Sequence, residues 1–250
     1  MVEPELNYLI SDNRDGLPMI FIHGAAGSHK VWTCQWEYFK DKRSVIILDL
    51  PGHGDSKGDP KETIDEYADA VLHTVKELNL KKIILVGHSM GGAVSQKITL
   101  NNPDMISGLI LIGTGARLRV SPQVFDTIES DFENFINMSV DFSVAEAADE
   151  HKKSLFKDSI SESNAHIALS DFTACDRFDI MGEVEKIAIN TLLVFGAEDI
   201  MTPVKYAHYL NQKIRNSSLT IIPGAGHMVM MEKPEAVNKA ISGYLDGNKL

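Results

Sequence analysis

A chain of 250 residues with 44% hydrophobic and 24% charged side chains is long enough for one well-buried core, and a single domain is expected. Its formal net charge of −11 opposes binding to phosphate backbones, which depends on clustered lysine and arginine, so nucleic acid is not an expected partner. No segment approaches the roughly 18 consecutive apolar residues of a membrane span. The acidic start, Met1-Val2-Glu3-Pro4-Glu5-Leu6, lacks the basic and apolar regions of a secretory leader, which makes the cytoplasm the expected location. Cys34 and Cys175 lie far apart without metal-type spacing and are read as ordinary thiols.

Short β-branched and apolar runs bounded by turn residues predict strands at about 6–11, 19–23, 44–48, 82–87, 108–113, 191–196 and 219–223. Helical spacing of apolar residues falls between them at 64–78, 93–100, 204–214 and 234–245. This alternation implies an α/β architecture with a mostly parallel sheet flanked by helices. Residues 116–189 break the rhythm with helical periodicity and no strand, and they are too long for a loop. The chain therefore divides into a core of residues 1–115 and 190–250 and a helical insertion of 116–189.

The chemistry is most legible at residues 83–92, Ile-Ile-Leu-Val-Gly-His-Ser-Met-Gly-Gly, an apolar run ending in Gly-x-Ser-x-Gly before a helical pattern. That context places Ser89 on a tight strand-to-helix turn, with Gly87 and Gly91 lacking the side chains that would obstruct it. The first N–H groups of the following helix point at the same spot, where they can stabilise an oxyanion on an attacked carbonyl. A hydrolase with a serine nucleophile is the reading; a serine that only caps the helix would leave the glycines at 87, 91 and 92 unexplained.

A serine hydroxyl needs a base, and the base needs an orienting acid. Beyond the strand at 191–196, the loop Ala197-Glu198-Asp199-Ile200-Met201-Thr202-Pro203 offers carboxylates, with Asp199 chosen and Glu198 its rival. Beyond the strand at 219–223, Gly224-Ala225-Gly226-His227 gives a histidine on a glycine-rich loop with room to reach the serine.

With those motifs in order, the sequence resembles the α/β-hydrolase superfamily over nearly its whole length. Met19-Ile20-Phe21-Ile22-His23-Gly24-Ala25-Ala26-Gly27 is similar to the family's His-Gly oxyanion loop, and Asp49-Leu50-Pro51-Gly52-His53-Gly54-Asp55-Ser56 to its Pro-Gly-His-Gly turn. The resemblance implies the chain order Ser89, Asp199, His227 for the triad, favours Asp199 over Glu198, and assigns the oxyanion hole to the N–H groups of Ala25 and Met90. It also implies that residues 116–189, following the sixth strand of the fold in the family's count, sit over Ser89 as a helical cap. One departure is Asn190, where relatives commonly carry a proline; a loosened approach to the next strand, costing roughly 0.4–1 kcal/mol, is expected.

Seven of the ten phenylalanines fall in the cap: Phe125, Phe132, Phe135, Phe142, Phe156, Phe172 and Phe178. Most are expected to form the cap's own core, while Phe135, Met138 and Phe142, spaced like one helix face, are candidates to line an acyl pocket. Arg117 and Arg119 are placed either to receive a substrate carboxylate or to pair with cap carboxylates. His23, His53 and His88 sit inside motifs and are read as loop-holding side chains; the other histidines lack the paired spacing of a zinc site, so neither metal nor cofactor is expected. The reading is a serine carboxylic-ester hydrolase for small-molecule esters of short to medium apolar acyl chains, with oligomeric state left open. Carbon-carbon hydrolysis, cofactor-free haloperoxidase or lyase chemistry, and a non-catalytic ligand receptor are the alternatives. Epoxide hydrolases and haloalkane dehalogenases are disfavoured because their nucleophile is an aspartate.

Overall fold

The computed structural model describes residues 5–11, 13, 16–146, 148 and 150–250; of the acidic N-terminal stretch, residues 1–4 lie outside the described residues. Seven strands form one sheet: β1 Tyr8–Ile10, β2 Met19–Ile22, β3 Val45–Leu48, β4 Ile83–His88, β5 Ile106–Ile112, β6 Thr191–Gly196 and β7 Ser217–Ile222. Their spatial order is β1-β3-β2-β4-β5-β6-β7, with β1 antiparallel to β3 and every other pairing parallel. The order reverses between β2 and β4. At such a switch point the loops leaving neighbouring strands diverge to opposite sides and open a crevice beyond the strand ends.

Strands buried on both faces explain the unbroken apolar runs. Along β4, Ile83 and Leu85 enter one core while Ile84 and Val86 enter the other, and the same period of two sends Ile20 and Ile22 of β2 to the first and Met19 and Phe21 to the second. Helices α1 (Thr33–Phe39), α2 (Ile64–Glu77) and α3 (Met90–Asn101) then cover the N-terminal half of the sheet. Tyr67 and Val71 of α2 and Ala93 and Ile98 of α3 fill the first core, and Phe39 of α1 the second. Thr63 caps α2, its side chain accepting from the N–H of Glu66 while its hydroxyl donates to the Glu66 carboxylate. The short α1 has no periodicity long enough to announce it in the sequence.

Between β5 and β6 run α4 (Pro122–Ser130), α5 (Phe132–Ser143), α6 (Glu150–Ile160) and α7 (Ala165–Arg177), and after β6 come α8 (Val204–Lys213), α9 (Val229–Glu232) and α10 (Pro234–Asn248). Thus the long helical segment follows the fifth strand of this chain. Its ends are clasped: the Ile180 N–H donates to the Ala116 carbonyl at 2.8 Å, and Arg117 and Asp179 face each other across an antiparallel bridge. The approach to β6 is held by hydrogen bonds at Asn190. Asn190 Nδ2 donates to Asn248 at 2.8 Å, and the Asn190 carbonyl accepts both the Leu109 N–H and the Tyr244 hydroxyl, tying the segment to β5 and α10. No helix among the described residues is long and apolar enough to cross a membrane.

Candidate active site

Ser89 joins the end of β4 to the start of α3 with φ 50° and ψ −117°, a region that side chains other than glycine rarely occupy. The strained residue is the serine itself; the flanking glycines serve for clearance. A Cβ at Gly91 would overlap the carbonyl of Ile22, and one at Gly87 would overlap the carbonyl of Gly91. The turn is held from both sides: the Ser89 N–H donates to the Ile112 carbonyl at 3.0 Å, while the Ser89 carbonyl accepts from the N–H groups of Gly92 and Ala93 and from the Thr114 hydroxyl at 2.7 Å. These bonds leave the half-buried side chain presented to a cavity.

The loops after β6 and β7 meet beside it. His227 Nδ1 donates to Asp199 Oδ2 at 2.9 Å, and Thr202 donates its N–H to Oδ1 at 2.8 Å and its hydroxyl to Oδ2 at 2.7 Å. Both Asp199 and His227 are buried. Burial alone would raise the Asp199 pKa, but the His227 charge and the bonds from His227 and Thr202 outweigh it and hold the carboxyl below its ordinary range. Glu198 is exposed and its N–H is taken by the Ala225 carbonyl, so Asp199 is the carboxylate of this loop that is bonded to His227. Gly113, at φ 50°, lies against the pair: a Cβ there would sit 3.3 Å from His227 Nδ1 and 3.4 Å from Asp199 Oδ2. The histidine loop is anchored from beneath by the buried Glu232, which accepts from the N–H groups of Gly226 and Ala145, each at 2.9 Å.

The motif histidines hold loops. His88 Nε2 donates to the His227 carbonyl at 3.1 Å, and burial followed by the nearby His227 pushes its pKa down to about 3. His23 Nδ1 donates to the Gly24 carbonyl at 2.8 Å while its Nε2 accepts the Leu50 N–H; burial first, then His53, lowers its pKa to about 4. His53 donates from both ring nitrogens, to the Pro51 carbonyl at 3.0 Å and to Asp171 Oδ2 at 2.7 Å. Around Ala25 and Met90, neighbouring N–H groups are engaged: Ala26 with Asp171, Gly27 with the Gly24 carbonyl, Gly92 and Ala93 with the Ser89 carbonyl. Among the hydrogen bonds of the described residues, none uses the N–H of Ala25 or of Met90.

The cavity occupies about 440 Å³ and is bounded by Ala25, His88, Ser89 and His227 on the sheet side. Val124 of α4, Ser139, Phe142 and Ser143 of α5, Phe156 and Ile160 of α6, and Phe172 and Cys175 of α7 line the other side. Phe142 is therefore in the cavity wall, whereas Phe135 and Met138 are not. Phe135 lies two turns earlier on α5, where its ring is buried between Phe132 and Phe172, at centroid distances of 5.5 and 5.6 Å. Met138 is half-buried outside the cavity wall, which the i, i+3, i+4 set of Ser139, Phe142 and Ser143 forms. The sequence reading missed Phe156 and Phe172 as lining residues, although both stood in its phenylalanine count. Arg117 and Arg119 pair with cap carboxylates, Asp179 at 3.6 Å and Asp176 at 3.7 Å; Arg119 also reaches the cavity wall. Among the described residues no cluster of three histidine, cysteine or acidic side chains is arranged to hold a metal ion.

The sequence model of a family described as alpha/beta hydrolase fold matches residues 18–234. The chain is 29% identical to the dihydrolipoyllysine-residue acetyltransferase component of an acetoin cleaving system from Pseudomonas putida, over 92% of this chain and 64% of that protein. Among solved structures it is similar to a thermophilic esterase from Thermogutta terrifontis, with TM-score 0.90 and 25% identity over 98% of this chain and 94% of that one. A second thermophilic esterase superposes with TM-score 0.84 and 30% identity over 98% and 99% of the two chains.

Proposed function

The chain belongs to the alpha/beta hydrolase fold family, and from that premise we propose that it is a serine hydrolase cleaving carboxylic esters of small molecules through an acyl-enzyme. In this reading Ser89 attacks the ester carbonyl while His227 Nε2 takes its proton, and Asp199, bonded to Nδ1, fixes the tautomer and stabilises the imidazolium that forms. The N–H groups of Ala25 and Met90 receive the oxyanion, where one donor typically contributes about 3 to 4 kcal/mol to the rate. His227 then protonates the leaving alcohol and deprotonates a water, which releases the acid from Ser89. No step calls for a cofactor.

The observation that carries the proposal is the strained Ser89, at φ 50°, sharing one cavity with a histidine whose other nitrogen is fixed by a buried carboxylate. A backbone held out of its preferred region persists only where the surroundings over-determine it, and the bonds and clearances around Ser89 do so. The likeness to two esterases over nearly their whole length supports the reaction class. We take residues 116–189 as a cap over Ser89, since α4 to α7 supply the far wall of the cavity. That wall is apolar, with Phe142, Phe156 and Phe172 its largest side chains, which suits short or medium acyl chains.

Hydrolysis of p-nitrophenyl esters from acetate to palmitate tests this, with Ser89→Ala alongside. Turnover that peaks at short or medium chains and disappears in the variant is expected. Absence of Ser89-dependent turnover at every chain length would overturn the proposal.

A further inference from the structure

Asp171 belongs to α7, in the inserted helical segment, yet its carboxylate is fully buried against three parts of the core. Oδ2 accepts the N–H of Ala26, in the loop after β2, at 2.7 Å, and also His53 Nε2, in the turn after β3, at 2.7 Å. Oδ1 accepts the hydroxyl of Tyr67 on α2. A carboxylate and an imidazole buried together do not by themselves favour the fold, because desolvation opposes their attraction. Their placement here coincides with a strained turn. Gly27 N–H closes a turn onto the Gly24 carbonyl at 3.2 Å, and Ala26, at the third position of that turn, takes φ 52°, where glycine or asparagine is the favoured residue. The N–H assigned above to the oxyanion hole, that of Ala25, belongs to the same turn.

We propose that Asp171 is a positioning residue for the oxyanion loop: by pinning the Ala26 N–H it holds the 24–27 turn in the conformation that presents the Ala25 N–H to the cavity. The inference rests on the ester-hydrolase reading. It also makes the seating of α7 a condition of oxyanion stabilisation, because Phe172, the next residue, and Cys175, one turn on, line the cavity. Burial alone would lower the pKa of His53, but the charge of Asp171 and its hydrogen bond outweigh it and raise it. An asparagine at 171 can keep one oxygen on Ala26; a leucine cannot.

The test compares wild type, Asp171→Asn and Asp171→Leu for kcat, KM and inhibition by butylboronic acid, whose tetrahedral adduct on Ser89 places an oxygen in the oxyanion hole. Asp171→Leu is expected to lower kcat about 100-fold, the scale of a lost oxyanion donor, to raise the boronate Ki in parallel and to leave KM within about threefold. Asp171→Asn is expected to recover most of kcat. A folded Asp171→Leu with wild-type kcat, or one with KM raised and boronate Ki unchanged, would overturn the proposal. Should Asp171→Leu not fold, amide hydrogen exchange in the wild type decides: the Ala26 N–H must be strongly protected, and exchange as fast as that of Ala25 refutes the pinning. Failure of the ester-hydrolase reading is distinct, since it removes turnover from the wild type itself.

Discussion

Replacing Ser89 by glycine is expected to stabilise the protein while abolishing its activity. The strain at φ 50° and ψ −117° depends on the Cβ, not on the hydroxyl, so Ser89→Ala keeps it and Ser89→Gly removes it. A residue other than glycine in such a region costs on the order of 1–3 kcal/mol. Against this, the added freedom of glycine in the unfolded chain returns about 0.4–1 kcal/mol. The difference leaves Ser89→Gly more stable than Ser89→Ala by about 1 kcal/mol, equivalent to roughly 2–4 °C in Tm for a chain of this size. The backbone bonds from Gly92, Ala93 and Thr114 to the residue 89 carbonyl are common to both variants and cancel in the comparison. Urea unfolding of wild type and both variants, with a check that m is unchanged, measures the difference. If Ser89→Gly is no more stable than Ser89→Ala, the elbow is not strained in the way argued and the conformational argument for Ser89 fails.

Asp199→Asn is expected to lower kcat by about 10³ to 10⁴ with KM little changed, because the amide leaves His227 in the wrong tautomer; steady-state kinetics reads the split, and a loss under tenfold would contradict the role. Phe135→Ala should destabilise by about 3–5 kcal/mol, since the buried ring packs between Phe132 and Phe172. Phe142 is 48% exposed and lies in the cavity wall, so Phe142→Ala should instead shift the acyl-chain optimum towards longer esters with stability within about 1 kcal/mol; equal stability losses would refute the distinction. The depressed pKa of His88, about 3, means that the unfolded chain binds a proton below pH 6.5 which the native protein does not. This contribution to stability is complete above about pH 6.5 and is lost as the pH falls towards 3, amounting to about 2 kcal/mol at pH 5. Unfolding at pH 8 and pH 5 should show wild type losing about that much more than His88→Gln, and equal losses would contradict the assignment.

Much of the architecture is legible because a parallel sheet buried on both faces needs continuous apolar runs; the predicted strands 82–87 and 191–196 correspond to β4 Ile83–His88 and β6 Thr191–Gly196, with Ser89 directly after the first and Asp199 in the loop after the second. Chemistry at the C-terminal edge of such a sheet then follows from where each run stops. What the sequence hides is set by contacts between distant residues. The heptad-like spacing of Phe135 and Phe142 defines a helix face, but only the packing of α7 against the start of α5 separates a core ring from a cavity ring. The bond between Asp171 and the Ala26 N–H joins residues 145 positions apart, and nothing in the local pattern of α7 distinguishes Asp171 from the helix's other acidic residue, Asp176. The pattern Gly-x-Ser-x-Gly, by contrast, announces both the tight turn and the room at Gly87 and Gly91, and the structure adds the backbone angle that Ser89 takes, φ 50°.

The proposed reaction requires Ser89 to be an activated nucleophile. Treating the protein with a fluorophosphonate and mapping the adduct by peptide mass spectrometry tests it most directly, because phosphonylation requires the base and the oxyanion hole as well as the hydroxyl. One adduct is expected, on the peptide carrying Ser89, lost in Ser89→Ala and formed far more slowly in Asp199→Asn. A protein left unlabelled under conditions that saturate a known serine esterase, or labelled at a different serine, would contradict it.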